Sequence, residues 1–159
     1  MTTLFSQILP IFTGQTERAA TEALRHILQQ SAAAQESMQG MLLNAGADVG
    51  SLTRFKTEVA GDEGERVDLV CSDGDGVERV LIEAKFWAGL TDNQPNTYLA
   101  RLPEDTHSAL LFVAPAQRLE TLWPELCRRA EEQHELQFTS DIPTSGDLRG
   151  CQSTATDTK

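Results

Sequence analysis

Asp68, Glu83 and Lys85 have the types and the spacing to gather around a hard cation. Glu83 and Lys85 stand two apart, so on a strand both emerge on one face while Ile82, Ala84 and Phe86 take the other. Between apolar, β-branched runs at 66–71 and 77–86 lies Ser72-Asp73-Gly74-Asp75-Gly76, whose Asp-Gly pairs supply the positive backbone angles of a tight reversal. Antiparallel pairing about a centre near Asp75 and Gly76 brings Asp68 level with Glu83. Like charges placed opposite each other destabilise a ladder, so something cationic should sit between the two acids. Mg²⁺ suits such a site, because it is usually held by one or two carboxylates with water and phosphate completing its shell. The plainer alternative makes Asp68 a strand-end cap and Glu83 with Lys85 a solvated ion pair without chemistry.

Several elements must position these groups. Thr13 or Thr16 caps a helix running to about residue 30, with Ala20, Leu24, Ile27 and Leu28 on its apolar face. Glu17 shares that face at its N-terminal end, where an acid must find a donor or a cation, or else simply favours the helix dipole; Glu22, Arg25 and Gln29 lie off the stripe. Met38, Met41, Leu42 and Leu43 predict a second helix, ended by Gly46, with the methionines as core filler. The alternation over 52–60 predicts a strand, on which Glu58 reads as an exposed end, and 61–65 reads as a solvated acidic turn.

After the hairpin, Asp92 or Thr91 caps a helix that tolerates Pro95 in its first turn and carries Gln94 and Tyr98 on one face. Trp87 reads as a lid over the core, the alternative being a stacking surface for a base. The continuous apolar run 108–115 predicts a central strand buried on both faces and parallel to a neighbour. A helix over 118–132 turns Leu119, Leu122, Trp123, Leu126 and Ala130 inward, is strained by Pro124, and carries Arg128 and Arg129 as solvated charges. A last edge strand is expected at 135–138, and 141–159 reads as a disordered tail behind a single domain over 1–140.

Asp68 followed by Glu83-Ala84-Lys85 resembles the PD-(D/E)XK nuclease superfamily, and Gln94 and Tyr98 resemble the Gln-x-x-x-Tyr helix of one branch of it. The resemblance spans about 16–132 and departs at Val67, where no Pro precedes the Asp. It implies a restriction-endonuclease-like core, an α/β fold with a mixed central sheet flanked by helices. It also implies metal-assisted hydrolysis of a phosphodiester in nucleic acid, DNA rather than RNA. Asp68, Glu83 and the carbonyl of Ala84 would hold Mg²⁺ or Mn²⁺, and Lys85 would position a water or steady developing negative charge. The leading Glu of the branch's first helix, which points into the metal site, falls on Glu17, with Glu22 the alternative, and as a catalytic residue would support metal coordination or Lys85; Gln94 would order the Lys85 side or a phosphate oxygen, and Tyr98 would touch nucleic acid unless it packs on the sheet.

Composition bounds this reading. A chain of 159 residues, 40% hydrophobic, makes about one domain with a core. No apolar run approaches the ~18 residues of a membrane span, and the start lacks a signal pattern, so a soluble cytoplasmic protein without a membrane partner is expected. Cys71, Cys127 and Cys151 lack metal-ligand spacing, Cys71 reads as a buried thiol, and His26, His107 and His134 are scattered, which speaks against zinc. The net charge of −11 opposes nucleic-acid binding by bulk field. Basic groups must then be concentrated locally, a homo-oligomer or partner protein must supply them, or the substrate must be short. The alternative function is a catalytically silent nuclease-fold module acting through a protein partner.

Overall fold

A computed structural model describes residues 16–62, 64–103 and 107–134. Their order is α1 (Thr16–Gln30), α2 (Ala32–Asn44), β1 (Arg54–Ala60), β2 (Arg66–Ser72), β3 (Glu78–Ala84), α3 (Asn96–Arg101), β4 (Ala109–Val113), a 3₁₀ turn (Ala116–Arg118) and α4 (Leu119–His134). The fold is mixed α/β: a four-stranded mixed sheet flanked by helices. Neighbours in the sheet run β1-β2-β3-β4, with the first two pairs antiparallel and β3 parallel to β4. The expected strand at 135–138 and the expected tail lie outside the described residues.

The hairpin forms for the reason its turn residues imply. Gly76 takes φ +89°, and the Asp73 carboxylate accepts from the backbone N–H of Asp75 (3.0 Å) and Val77 (2.9 Å). Arg79 pairs with the same carboxylate at 3.0 Å, holding Asp73 below the usual carboxylate range. The register Leu69↔Ile82, Val70↔Leu81, Cys71↔Val80 follows, with a shift between Cys71 and Ser72. Continued towards the strand ends, it sets Asp68 level with Glu83, as the turn predicts.

The two sheet faces bury different things. Leu69, Cys71, Val80 and Ile82 meet Leu28 of α1, Met38 and Leu42 of α2, and Phe55. Burial pushes the Cys71 thiol up to about 12, which leaves it an inert apolar group. Val70 and Leu81 face the other way, against Tyr98 and Leu102. Each fully enclosed leucine here stabilises the fold by about 2 kcal/mol.

Four expectations need correction. The run 108–115 yields an edge strand among the described residues, half-buried at 109–112, not a central strand closed on both faces. α3 begins at Asn96, with Pro95 at its N-cap position after a cis Gln94–Pro95 bond, so Gln94 sits in the turn before the helix and neither Asp92 nor Thr91 caps it. Ile27 and Leu119 are exposed at 46% and 40% and leave the apolar faces assigned to them. Glu65 is no solvated turn acid: it meets Arg101 at 3.5 Å, and Arg101 also binds Glu78 at 2.6 Å.

Candidate functional site

The level pairing of β2 with β3 and the alternation along β3 bring Asp68, Glu83 and Lys85 together. Glu83 and Lys85 are nearly enclosed, at 6% and 5% exposure, and their charged groups meet at 3.0 Å. Lys85 lies one residue past β3, and its backbone N–H donates to the Val113 carbonyl at 2.8 Å, which carries the parallel ladder one residue further. The solvated ion pair of the plainer reading is therefore excluded. An ammonium is buried here because a carboxylate is buried with it.

Glu83 is braced from three sides. Its Oε1 accepts from Lys85 Nζ and from Gln94 Nε2 at 2.9 Å, and its Oε2 accepts from the Tyr98 hydroxyl at 3.3 Å. Gln94 Nε2 also donates to the Tyr98 oxygen at 2.9 Å, and that hydroxyl reaches the Arg66 carbonyl at 2.8 Å. Gln94 and Tyr98 are both 3% exposed. Of the two roles open to Tyr98, the structure shows packing against the sheet, and Gln94 orders Glu83, not the Lys85 ammonium. Burial, then the Glu83 charge, pushes the Tyr98 hydroxyl well above its ordinary value, so it stays a neutral donor.

Asp68 is held differently. Its Oδ2 accepts from the Ala84 N–H at 2.8 Å, so the residue that separates Glu83 from Lys85 also orients the second acid. Oδ1 has no hydrogen bond among the described residues. Burial pushes the Asp68 carboxyl up, opposed by the Ala84 N–H and by Lys85, while the charges of Glu17 and Glu58 push it further. Glu83 is raised too, first by burial and then by Asp68. Two acids share one ammonium, and neither is fully compensated.

Glu17 reaches the site through the backbone. Its Oε1 accepts from the N–H of Phe86 (2.6 Å) and of Trp87 (3.2 Å), pinning the chain just beyond Lys85. Glu22 is engaged elsewhere, by the Thr57 hydroxyl and by Arg25 at 2.8 Å, which docks α1 on β1 and lowers the Glu22 pKa. Between the two candidates on α1, only Glu17 is at the site. Trp87 is not a lid over the core: it is 79% exposed. Glu58 is not an exposed strand end either; it is half-buried within β1, at φ +52°, and its carboxylate takes Arg18 at 3.2 Å and Arg66 at 3.1 Å.

Two arginines that sequence reasoning missed hold the loops of the site. Arg118 Nη1 donates to the carbonyls of Lys85 (2.7 Å) and Ala88 (2.8 Å), and Arg129 Nη1 to those of Thr91 (2.6 Å) and Gln94 (3.1 Å). No local pattern marks Arg118; Arg129 stood out only as part of a basic pair. Among the described residues no cluster of three or more His, Cys, Asp or Glu is placed to hold a metal ion, and no helix is long and apolar enough to cross a membrane. No family model, curated protein or solved structure matches this chain.

Proposed function

We propose that this domain is a divalent-metal-dependent phosphodiesterase that hydrolyses nucleic acid, DNA rather than RNA. The observation that carries the reading is the pair of acids level on adjacent strands, both raised in pKa, sharing a single buried ammonium. Two carboxylates with the Ala84 carbonyl suit Mg²⁺ or Mn²⁺, which need only a small protein share of the shell. Such an ion supplies Lewis-acid polarisation of a phosphate oxygen and a more acidic water. The chain's own residues do the rest. Asp68 offers its unbonded Oδ1, while Ala84 fixes its other oxygen. Gln94 and Tyr98 hold the Glu83 carboxylate in one orientation from behind. Lys85, paired with Glu83 at 3.0 Å, orients a water or steadies negative charge growing on the phosphate. Glu17 pins the backbone that carries Lys85.

A second reading, a catalytically silent nuclease-fold module acting through a protein partner, is favoured by one observation. Both oxygens of Glu83 already accept hydrogen bonds, so the ion would have to share that carboxylate with its donors. Calorimetry with Mn²⁺ and plasmid cleavage in Mg²⁺ or Mn²⁺, with an EDTA control, separate the two. The nuclease reading expects Mn²⁺ binding that Asp68→Asn removes, and cleavage that Asp68→Ala reduces by about a hundredfold or more. Parent-like cleavage by Asp68→Ala and Lys85→Ala, or Mn²⁺ binding unchanged in Asp68→Asn, overturns it.

A further inference from the structure

A domain of net charge −11 needs a local device to hold a polyanion, and residues adjoining Glu17 and the Tyr98 partner of Glu83 provide one. Arg18 of α1 and Arg66 of β2 both close on the Glu58 carboxylate, at 3.2 and 3.1 Å, yet their side chains stay 56% and 64% exposed. One carboxylate cannot neutralise two guanidiniums, so the trio keeps a net positive charge with N–H groups facing solvent. The trio holds a strained backbone: Glu58 takes φ +52° in the middle of a strand, a conformation that costs a non-glycine residue roughly 1 kcal/mol or more.

The chain ties this charge to the acids. Arg18 follows Glu17, whose carboxylate holds the backbone of Trp87, and the Arg66 carbonyl accepts from the Tyr98 hydroxyl that touches Glu83. Trp87 itself is the most exposed large apolar side chain described, at 79%. Its Cα lies at most about 7 Å from that of Lys85, because the two are only two positions apart in the chain. An indole left in water beside a phosphate-directed ammonium buries no core area. It offers a flat face to which an unpaired base can stack, whereas a paired base inside a duplex presents only its edges.

Resting on the nuclease reading above, we infer that the substrate is single-stranded nucleic acid, with Trp87 stacking an unpaired base and Arg18 and Arg66 contacting the flanking phosphates. The juxtaposition of one exposed indole with two solvent-facing guanidiniums matches alternating bases and phosphates. It also explains how an acidic domain holds a short polyanion: the contacts are few and local.

The test measures binding in EDTA, by anisotropy of a fluorescein-labelled single-stranded oligonucleotide and of its duplex, across a salt series. The parent should prefer the single strand. Trp87→Ala should weaken single-strand binding about tenfold or more while leaving duplex binding and the melting temperature unchanged, and Trp87→Phe should restore most of the loss. Arg18→Gln and Arg66→Gln should each lower the slope of log affinity against log salt by about 0.7. Equal binding of both strands by Trp87→Ala and parent overturns the inference, as does an absence of binding to either oligonucleotide. The nuclease reading is judged separately, by Mn²⁺ calorimetry on Asp68→Asn and by plasmid cleavage. Cleavage without any Trp87 effect retains it and removes the single-strand claim; single-strand binding without cleavage or Mn²⁺ binding does the reverse.

Discussion

Charges are arranged in opposite ways at the sheet centre and along α4. On α4, Glu125 faces Arg128 at 2.7 Å and Arg129 at 2.7 Å, and the two guanidiniums, Arg128 first, hold its carboxyl down to about 2. There each acid has a guanidinium, Glu132 meeting Arg128 at 2.6 Å, and the network lies largely at the surface. At the sheet centre two acids share one ammonium, burial dominates, and both carboxyls are pushed up. The contrast teaches that the density of charged residues does not locate the candidate site in this chain. What locates it is a buried deficit of positive charge, which a surface network never tolerates because solvent removes it at no cost.

The sharpest way to break the comparison is to deepen the deficit. Lys85→Met leaves Glu83 enclosed without its cation and should cost about 3 kcal/mol at neutral pH. The loss should shrink in mild acid, where Glu83 takes up a proton. Urea unfolding at two pH values checks it, and an equal loss at both would mean that Glu83 is not the group responsible. Tyr98→Phe should cost about 1–2 kcal/mol, because the Arg66 carbonyl and Glu83 lose a shared donor. The same unfolding assay reads this, and Mn²⁺ affinity should fall with it.

Relieving the deficit should act the other way. A carboxyl whose folded pKa exceeds its unfolded value binds its proton more tightly in the fold, so its contribution to stability is greatest at low pH and is lost as pH rises through the raised value. Asp68→Asn removes that loss. In metal-free buffer it should raise the urea midpoint near neutrality. The gain should vanish below the ordinary Asp value of 3.8. A stability difference that persists unchanged in acid would contradict it. The smallest effect belongs to α4: Glu125→Gln should leave the urea midpoint within error of the parent at neutral pH, since its ion pairs lie at the surface and Arg129 keeps its bonds to the Thr91 and Gln94 carbonyls.

Much of the centre was legible because its causes are local. The Asp-Gly turn sets the hairpin register, and alternation then fixes which side chains join Asp68, so Glu83 and Lys85 follow without further information. Choosing Glu17 over Glu22 was within reach of the apolar stripe, although its bonds to the Phe86 and Trp87 backbone were not. What escaped depends on partners distant in sequence. The turn at 91–95 replaces the first helical turn expected there, and its Thr91 and Gln94 carbonyls are taken by Arg129 from α4. The run 108–115 has the composition of a central strand, and hydropathy alone does not distinguish that from an edge strand lying beside β3. Trp87 has the residue type of a core lid, and only the path of the chain past Lys85 turns it outward.

The grip of α4 on the loops has a mechanical consequence. Arg118, in the 3₁₀ turn that leads into α4, and Arg129, within α4, tether, respectively, the segment that carries Lys85 and the segment that carries Gln94. The stretch between them works as a crossbar between the two halves of the centre. The two segments it ties supply the ammonium and the amide that share one oxygen of Glu83.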